Sequence, residues 1–379
     1  MKLSEMAVIS AGQGAPQGES AYGTEGIPFI KAGDLASLLA GKKESEIQHV
    51  NESVAKKHRL KIYPAGSILF AKSGMSCMKG YVYKTESPCY VVSHLAIIIP
   101  TGCDGDYLKY YFQFHKPNSL VKDTAYPSIS LADIGEMEIN LPTQVEQQKI
   151  VNELEKVTEL IALRKEQLAK LDQLIKSRFI ELFGDIANGP KYSSVPLGTI
   201  CSTLSGGTPT TRFPEYYQGD IPWISTPYLG NNHINGSSAK AYITEAAIKN
   251  SATHLIPANT IMFGIRVGVG KSSIIDEPMC ANQDIVALMD IDTSKYNLLF
   301  IKHVLDGYQS HFDSIKKGAT ILGVTTDDLK KVMIPMVGIE LQNLFAAFVE
   351  QTDKSKLAIQ QSLEKLETLK KSLMQECFG

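Results

Sequence analysis

The chain has 379 residues, with 38 Lys and Arg against 40 Asp and Glu and 44% hydrophobic residues, an ordinary soluble composition with length for two or three domains. A net charge near zero excludes a generic polyanion binder, although local basic patches still meet phosphates. No apolar run is long enough to cross a bilayer, the opening MKLSEMAVIS is not built like a signal peptide, and six cysteines stand singly without a CxxC or a His cluster; free thiols in a reducing cytoplasm and no structural zinc are expected.

The first 142 residues are mixed and short in period. GAPQGESAYGTEGIPFIKAGDL, from Gly14 to Leu35, is turn-rich and then extended. Beyond Tyr63 the pattern predicts a strand over Ser67–Ala71, a Gly/Ser turn, a strand over Gly80–Lys84 and a buried apolar strand over Val91–Ile99. Asp106–His115 reads as a short amphipathic helix, and Ser128–Leu141 leads into a much longer one. That helix, Thr143–Gly184, has no internal Pro or Gly and would be roughly 60 Å long. Ile150, Val157 and Leu171 fall in one heptad register and Leu154, Ile161, Leu168, Ile175 and Leu182 in the other, interrupted by Arg164 and Arg178. Pro142 and Gly184 supply its start and stop signals.

After the loop DIANGPKYSSVP the chain repeats itself. GDIPWISTPYL parallels GIPFIKAGDL, with Pro222 standing where Pro28 stood. Pro64 matches Pro257 and Phe70 matches Phe263, both at a spacing of 193, and Pro88 matches Pro278 once a three-residue difference in turn length is allowed. INLPTQVEQQ aligns with VMIPMVGIELQ, and Leu363–Gly379 matches Leu168–Gly184 without a gap. The chain is two copies of one unit, each a globular body followed by a long helix. The expected limits are 1–142 and 185–335 for the bodies and 143–184 and 336–379 for the helices. Like units favour mutual contact of equivalent surfaces. The expected fold is therefore α+β, with two bodies joined by two long helices packed as an antiparallel coiled coil in an internal pseudo-two-fold repeat. Its partner-binding seam is assigned to Leu154, Ile161, Leu168, Leu171, Ile175, Ile359, Leu363, Leu366 and Leu373.

The chemistry-bearing stretches lie in the bodies. GIRVGVGKSS, from Gly264 to Ser273, lacks the register of a Walker A loop and reads as a Gly-rich connection between strands, flanked by Arg266 and Lys271. The matching turn of the first half carries Lys72, Ser73, Lys79 and Tyr81. Basic turns of this kind either lie against phosphates and base edges or are simply solvated. Asn282, Gln283 and Asp284 stand opposite Val92, Ser93 and His94; Asn and Gln pair with adenine, and equally satisfy backbone at a strand edge. Thr208, Thr210 and Arg212 of SGGTPTTRF have the donors for phosphate contacts, while Gly206, Gly207 and Pro209 suffice to shape a turn. Trp223 sits in an apolar strand and reads as core. No nucleophile–base pairing is evident.

Taken together, SGGTP…GDIPWIS, the Gly-rich turn, ANQD and IP…IELQ leading into a long helix that ends in FG resemble the specificity subunit of Type I restriction–modification enzymes. The first half resembles the same family through GAPQGES…GIPFIKAGDL and LPTQVEQQKIV, though it lacks the GTP and ANQ triplets. The resemblance implies a cytoplasmic, non-catalytic chain whose bodies each read one half of a bipartite site on double-stranded DNA. It implies that the helices dock two modification (methyltransferase) subunits, to which restriction (motor-nuclease) subunits add. S-adenosylmethionine, ATP and Mg2+ would be used by those partners and none by this chain, which has no NPPY- or DPPY-type tetrapeptide. A coiled-coil scaffold for protein partners and a nucleotide hydrolase are the alternatives.

Overall fold

In the computed structural model the described residues are 1–186, 189–318 and 321–379, so Ala187 and Asn188 of the DIANGPKYSSVP loop lie outside them. The chain divides into two compact units, Met1–Lys165 with Gln361–Gly379, and Glu166–Gln360. Each unit contains one body and a stretch of each long helix.

In the first unit β1 (Ala7–Ala11), β7 (Leu95–Pro100), β4 (Ile68–Ala71) and β5 (Val82–Lys84) form an antiparallel sheet in that order. A smaller sheet holds β2 (Ile27–Ile30) between β3 (His49–Val50), antiparallel, and β6 (Tyr90–Val91), parallel. Helix α1 (Gly105–Phe114) is capped by the Asp104 carboxylate, which accepts from the amides of Asp106 and Tyr107. Its buried face, Tyr107, Leu108, Tyr111 and Phe112, closes the core over Ile68 and Phe70. The second unit repeats this order with β8 (Ser202–Ser205), β15 (Ile285–Met289), β12 (Thr260–Gly264) and β13 (Ser272–Ile275), and adds β10 (His233–Ile234) parallel to β13. Likewise β9 (Ile221–Ile224) lies between antiparallel β11 (Ala241–Ile243) and parallel β14 (Cys280–Ala281). Helix α3 (Leu298–Gly307), capped by Asn297, is the counterpart of α1.

Two strands depart from the sequence expectation. Gly80 is left-handed at φ 61°, so the strand expected from Gly80 begins at Val82. The apolar run Val91–Ile99 is not one strand but parts of two. Tyr90–Val91 pairs with β2 in the small sheet, a turn follows at Val92–His94, and the chain resumes at Leu95 in the large sheet. Both segments are buried, and only Ser93 and the exposed His94 between them mark the change of sheet.

The long helices are α2 (Gln144–Phe183) and α4 (Ile339–Phe378), forty residues each. In the first unit Val151 and Leu154 share a core with Met374 and Phe378, and Lys165 pairs with Glu367 at 2.9 Å. In the second, Ile175, Phe179 and Phe183 share one with Phe345 and Val349, and Asp172 pairs with Lys356 at 2.7 Å. Early residues of one helix meet late residues of the other, so within each unit the pairing is antiparallel. Leu154, Ile175 and Leu363 are buried in the seam; Ile161, Leu168, Leu171, Ile359, Leu366 and Leu373 are half-buried. Arg164 and Arg178 are half-buried too, with Arg178 paired to Glu181 at 2.8 Å. At the repeat spacing of 195 their counterparts are Ile359 and Leu373, whereas Lys356 and Lys370 correspond to Ile161 and Ile175. Each seam cation is thus present in one copy alone.

A buried glutamine ties each helix to its body. The Gln147 side chain accepts from the Asp104 amide at 2.8 Å and donates to the Pro142 carbonyl at 2.8 Å. Its counterpart Gln342 accepts from the Asn297 amide at 2.9 Å and donates to the carbonyls of Lys295 and Val337 at 3.0 and 2.7 Å. In each unit one side chain thus satisfies backbone groups of both the helix entry and the body.

Candidate nucleic-acid interface

The same backbone frame occurs in both bodies around the turn that follows β6 and β14. In the first, the amides of Val92, Lys72, Leu95, Ile129 and Gln13 donate to the carbonyls of Ile30, His94, Val92, Lys72 and Val91 at 2.8–3.0 Å. In the second, those of Asn282, Ile265, Ile285, Val324 and Gly207 donate to the carbonyls of Ile224, Asp284, Asn282, Ile265 and Ala281 at 2.8–3.1 Å. The bond pattern matches donor for donor. A glycine permits the approach each time: a Cβ on Gly12 would lie 2.2 Å from the Val92 carbonyl oxygen, and one on Gly206 2.2 Å from that of Asn282.

The side chains hung on this frame differ. In the second body Thr208 donates its hydroxyl to the Gln283 side chain. The Asn282 amide donates to the Asp284 carboxylate at 3.3 Å, and Arg266 approaches the same carboxylate at 3.9 Å. Three separate sequence stretches therefore converge, bringing Thr208, Arg266, Asn282 and Gln283 together around Asp284. Arg266 is half exposed while Asp284 is largely covered, so the guanidinium faces outward from a fixed carboxylate. In the first body the equivalent pair is Ser73 and His94, whose Oγ and Nδ1 are 2.8 Å apart, with Lys72 bonded through its backbone beside them. A guanidinium–carboxylate pair and a hydroxyl–imidazole pair thus occupy one geometric slot.

Other candidates lie apart from these clusters. Lys79 stands 5.9 Å from the Tyr81 ring. Thr210 accepts from the Arg212 amide at 3.3 Å in an exposed loop, pinned where Trp223 donates to the Gly207 carbonyl at 3.0 Å. Trp223 is accordingly half-buried, with a role for its indole N–H. Lys271 is exposed at the base of the Gly-rich loop. That loop joins two strands, and the amides of Gly264, Gly270 and Lys271 donate within it, so they do not cradle a phosphate as a P-loop does. Val267 at its exposed tip is left-handed at φ 46°, a costly conformation for a β-branched residue.

Sequence reasoning missed Gln13, whose side chain donates to the Arg59 carbonyl at 3.0 Å and accepts from the Lys61 amide. It also passed over Asp284 as a site residue, although ANQD contains it. Desolvation pushes the Cys89 thiol up to about 12 and those of Cys103, Cys201 and Cys280 up to about 11, away from the thiolate form that reacts. Among the described residues no cluster of His, Cys, Asp or Glu comes together as a metal site, and no helix is long and apolar enough to cross a membrane.

This duplicated α+β body with its long helix defines a class already known from solved structures. The chain is similar over its whole length to the S subunit of a Type I restriction–modification system from M. genitalium, at TM-score 0.61 and 14% identity, covering 95% of that chain. A second structure, on complex assembly and conformational transition of the type I R-M system, gives a TM-score of 0.60 at 16% identity, covering 96% of that chain. The profile of the Type I restriction modification DNA specificity domain matches residues 1–173 and again 191–370, and the chain belongs to that family. Curated relatives include the specificity subunit of the MjaIX enzyme of Methanocaldococcus jannaschii, 29% identical over 171 residues and 45% of this chain. That of EcoR124I/EcoR124II of Escherichia coli is 31% identical over 166 residues, 41% of this chain. Each match spans 40% of the relative's own length.

Proposed function

We propose that this chain is the DNA-reading subunit of a Type I restriction–modification complex, acting on a bipartite, asymmetric site in double-stranded DNA. One observation carries the reading: two bodies hold the same backbone frame and present different side chains on it. Two copies of one reader with unlike contacts suit two unlike half-sites.

In this reading residues 1–142 and 185–335 are the recognition bodies and 143–184 and 336–379 the helices that dock two methyltransferase subunits, with restriction subunits joining them. Arg266, Asn282, Gln283 and Thr208 face one half-site and Ser73, His94 and Lys72 the other. Arg pairs best with guanine and Asn or Gln with adenine in the major groove. Lys79, Tyr81, Thr210, Arg212 and Lys271 contact backbone, where positioning needs donors and charge but little geometry. The chain itself is non-catalytic and cytoplasmic; S-adenosylmethionine, ATP and Mg2+ belong to its partners. The test is methyl transfer to DNA by the purified chain with and without cognate methyltransferase subunits. Sequence-specific adenine methylation only in their presence is expected, and transfer by the chain alone would refute the proposal.

A further inference from the structure

We propose that an open cavity in the first unit, between β5, α1 and the helix pair, is a binding site for a phosphate group. The cavity encloses about 880 Å³, a volume within the range of small-molecule sites. Lys84, Lys109, Tyr110, Gln113, Thr158 and Lys370 face it. Lys84 and Lys109 share a single carboxylate, Asp106, at 2.5 and 2.7 Å. Lys370 stands 5.8 Å from the Tyr110 ring, and the charges that bear on it, Lys109 and Lys165, are both positive. Lys165 is itself engaged with Glu367, and Glu86, an acidic residue of the wall, is exposed to water. Burial, followed by those two lysines, lowers the Lys370 ammonium below its ordinary pKa. Among the described residues no carboxylate pairs with Lys370; a half-buried cation so placed is costly, and an anion in the cavity would offset that cost.

The other copy supplies the control. At the repeat spacing of 195 the seam residue corresponding to Lys370 is Ile175, 5% exposed and packed with Phe179 and Phe345. The seam closes with an apolar residue there, so helix pairing does not call for a lysine. Lysine ammoniums, each with three donors, together with the Gln113 amide and the Tyr110 hydroxyl, match a tetrahedral oxyanion better than a planar carboxylate, which favours the bidentate fork of arginine. The phosphate belongs either to the duplex backbone or to a free phosphorylated molecule.

The test uses the full-length chain. Calorimetric titration with pyrophosphate should show binding by wild type and by Lys370→Arg, and at least tenfold weaker binding by Lys370→Ile. The isoleucine is the residue the other copy carries, so folding should be retained; Lys370→Gln serves as a second variant should it not be. The dependence of duplex affinity on salt is measured in parallel. A salt slope smaller by about one in Lys370→Ile identifies the duplex backbone as the source. An unchanged slope with lost pyrophosphate binding identifies a free phosphate, and that arm holds whether or not the chain reads DNA. Equal pyrophosphate behaviour of wild type and both neutral variants, with equal salt slopes, would overturn the proposal.

Discussion

Arg266→Ala separates a structural residue from a reading one, because the two roles predict effects of different size in different assays. The Arg266–Asp284 approach is 3.9 Å and half exposed. An ion pair of that length and exposure contributes at most about 1 kcal/mol to folding. The Gly323 and Val324 contacts of the same strand segment run through backbone and survive the substitution. Unfolding in urea should therefore shift little. If the guanidinium pairs with a guanine, its removal costs about 1–3 kcal/mol of discrimination, a factor of roughly 5 to 150, at one base position of one half-site. Competition binding of the methyltransferase-bound chain against single-base variants of its site measures this. A uniform loss with a smaller salt slope would reassign Arg266 to a phosphate. Unaltered affinity and specificity in a stably folded variant would refute the reasoning, as would a stability loss large enough to explain weaker binding by itself.

Three further outcomes follow from the geometry. Gln342→Ala leaves an amide and two carbonyls without their partner and should destabilise the second unit by about 2–5 kcal/mol, more than Gln147→Ala destabilises the first, with urea unfolding as the readout. Burial, then Lys302 and Lys356, lowers His303 to about 3, so the folded chain keeps it neutral while the unfolded chain protonates it near 6.5. Stability should consequently fall as pH drops below 6.5, by about 2 kcal/mol at pH 5, and His303→Phe should abolish that part of the slope; an identical slope in the variant would contradict it. Exchanging Ser73 and His94 for Arg and Asp should leave the first body folded, because its backbone frame already matches, and should alter only the half-site that body reads; circular dichroism and site selection report the two effects.

The repeat and the long helices were legible because heptad spacing and internal repetition are one-dimensional signals. Gln147 and Gln342 were visible in aligned motifs, yet nothing in a sequence says that a helix-start glutamine is buried and bonded to two backbone groups in one copy and three in the other. The candidate turn was legible by residue type, since ANQD and GIRVGVG carry suggestive donors, but not by geometry. Thr208 and Gln283 are 75 residues apart in the chain. The run Val91–Ile99 looked like one strand because both sheets it serves are buried, and Gln13 looked ordinary because its partners are backbone atoms at Arg59 and Lys61. Such contacts follow from topology, which no local pattern encodes.

The central claim is that two like bodies read two unlike half-sites, and it is met most directly by mapping methylated adenines in cells expressing the chain with its methyltransferase subunits. Wild type should give one motif of two different half-sites separated by a gap of fixed length, and Arg266→Ala should relax a position in one half while the other stays intact. A continuous or palindromic motif, or relaxation in both halves at once, would contradict the account.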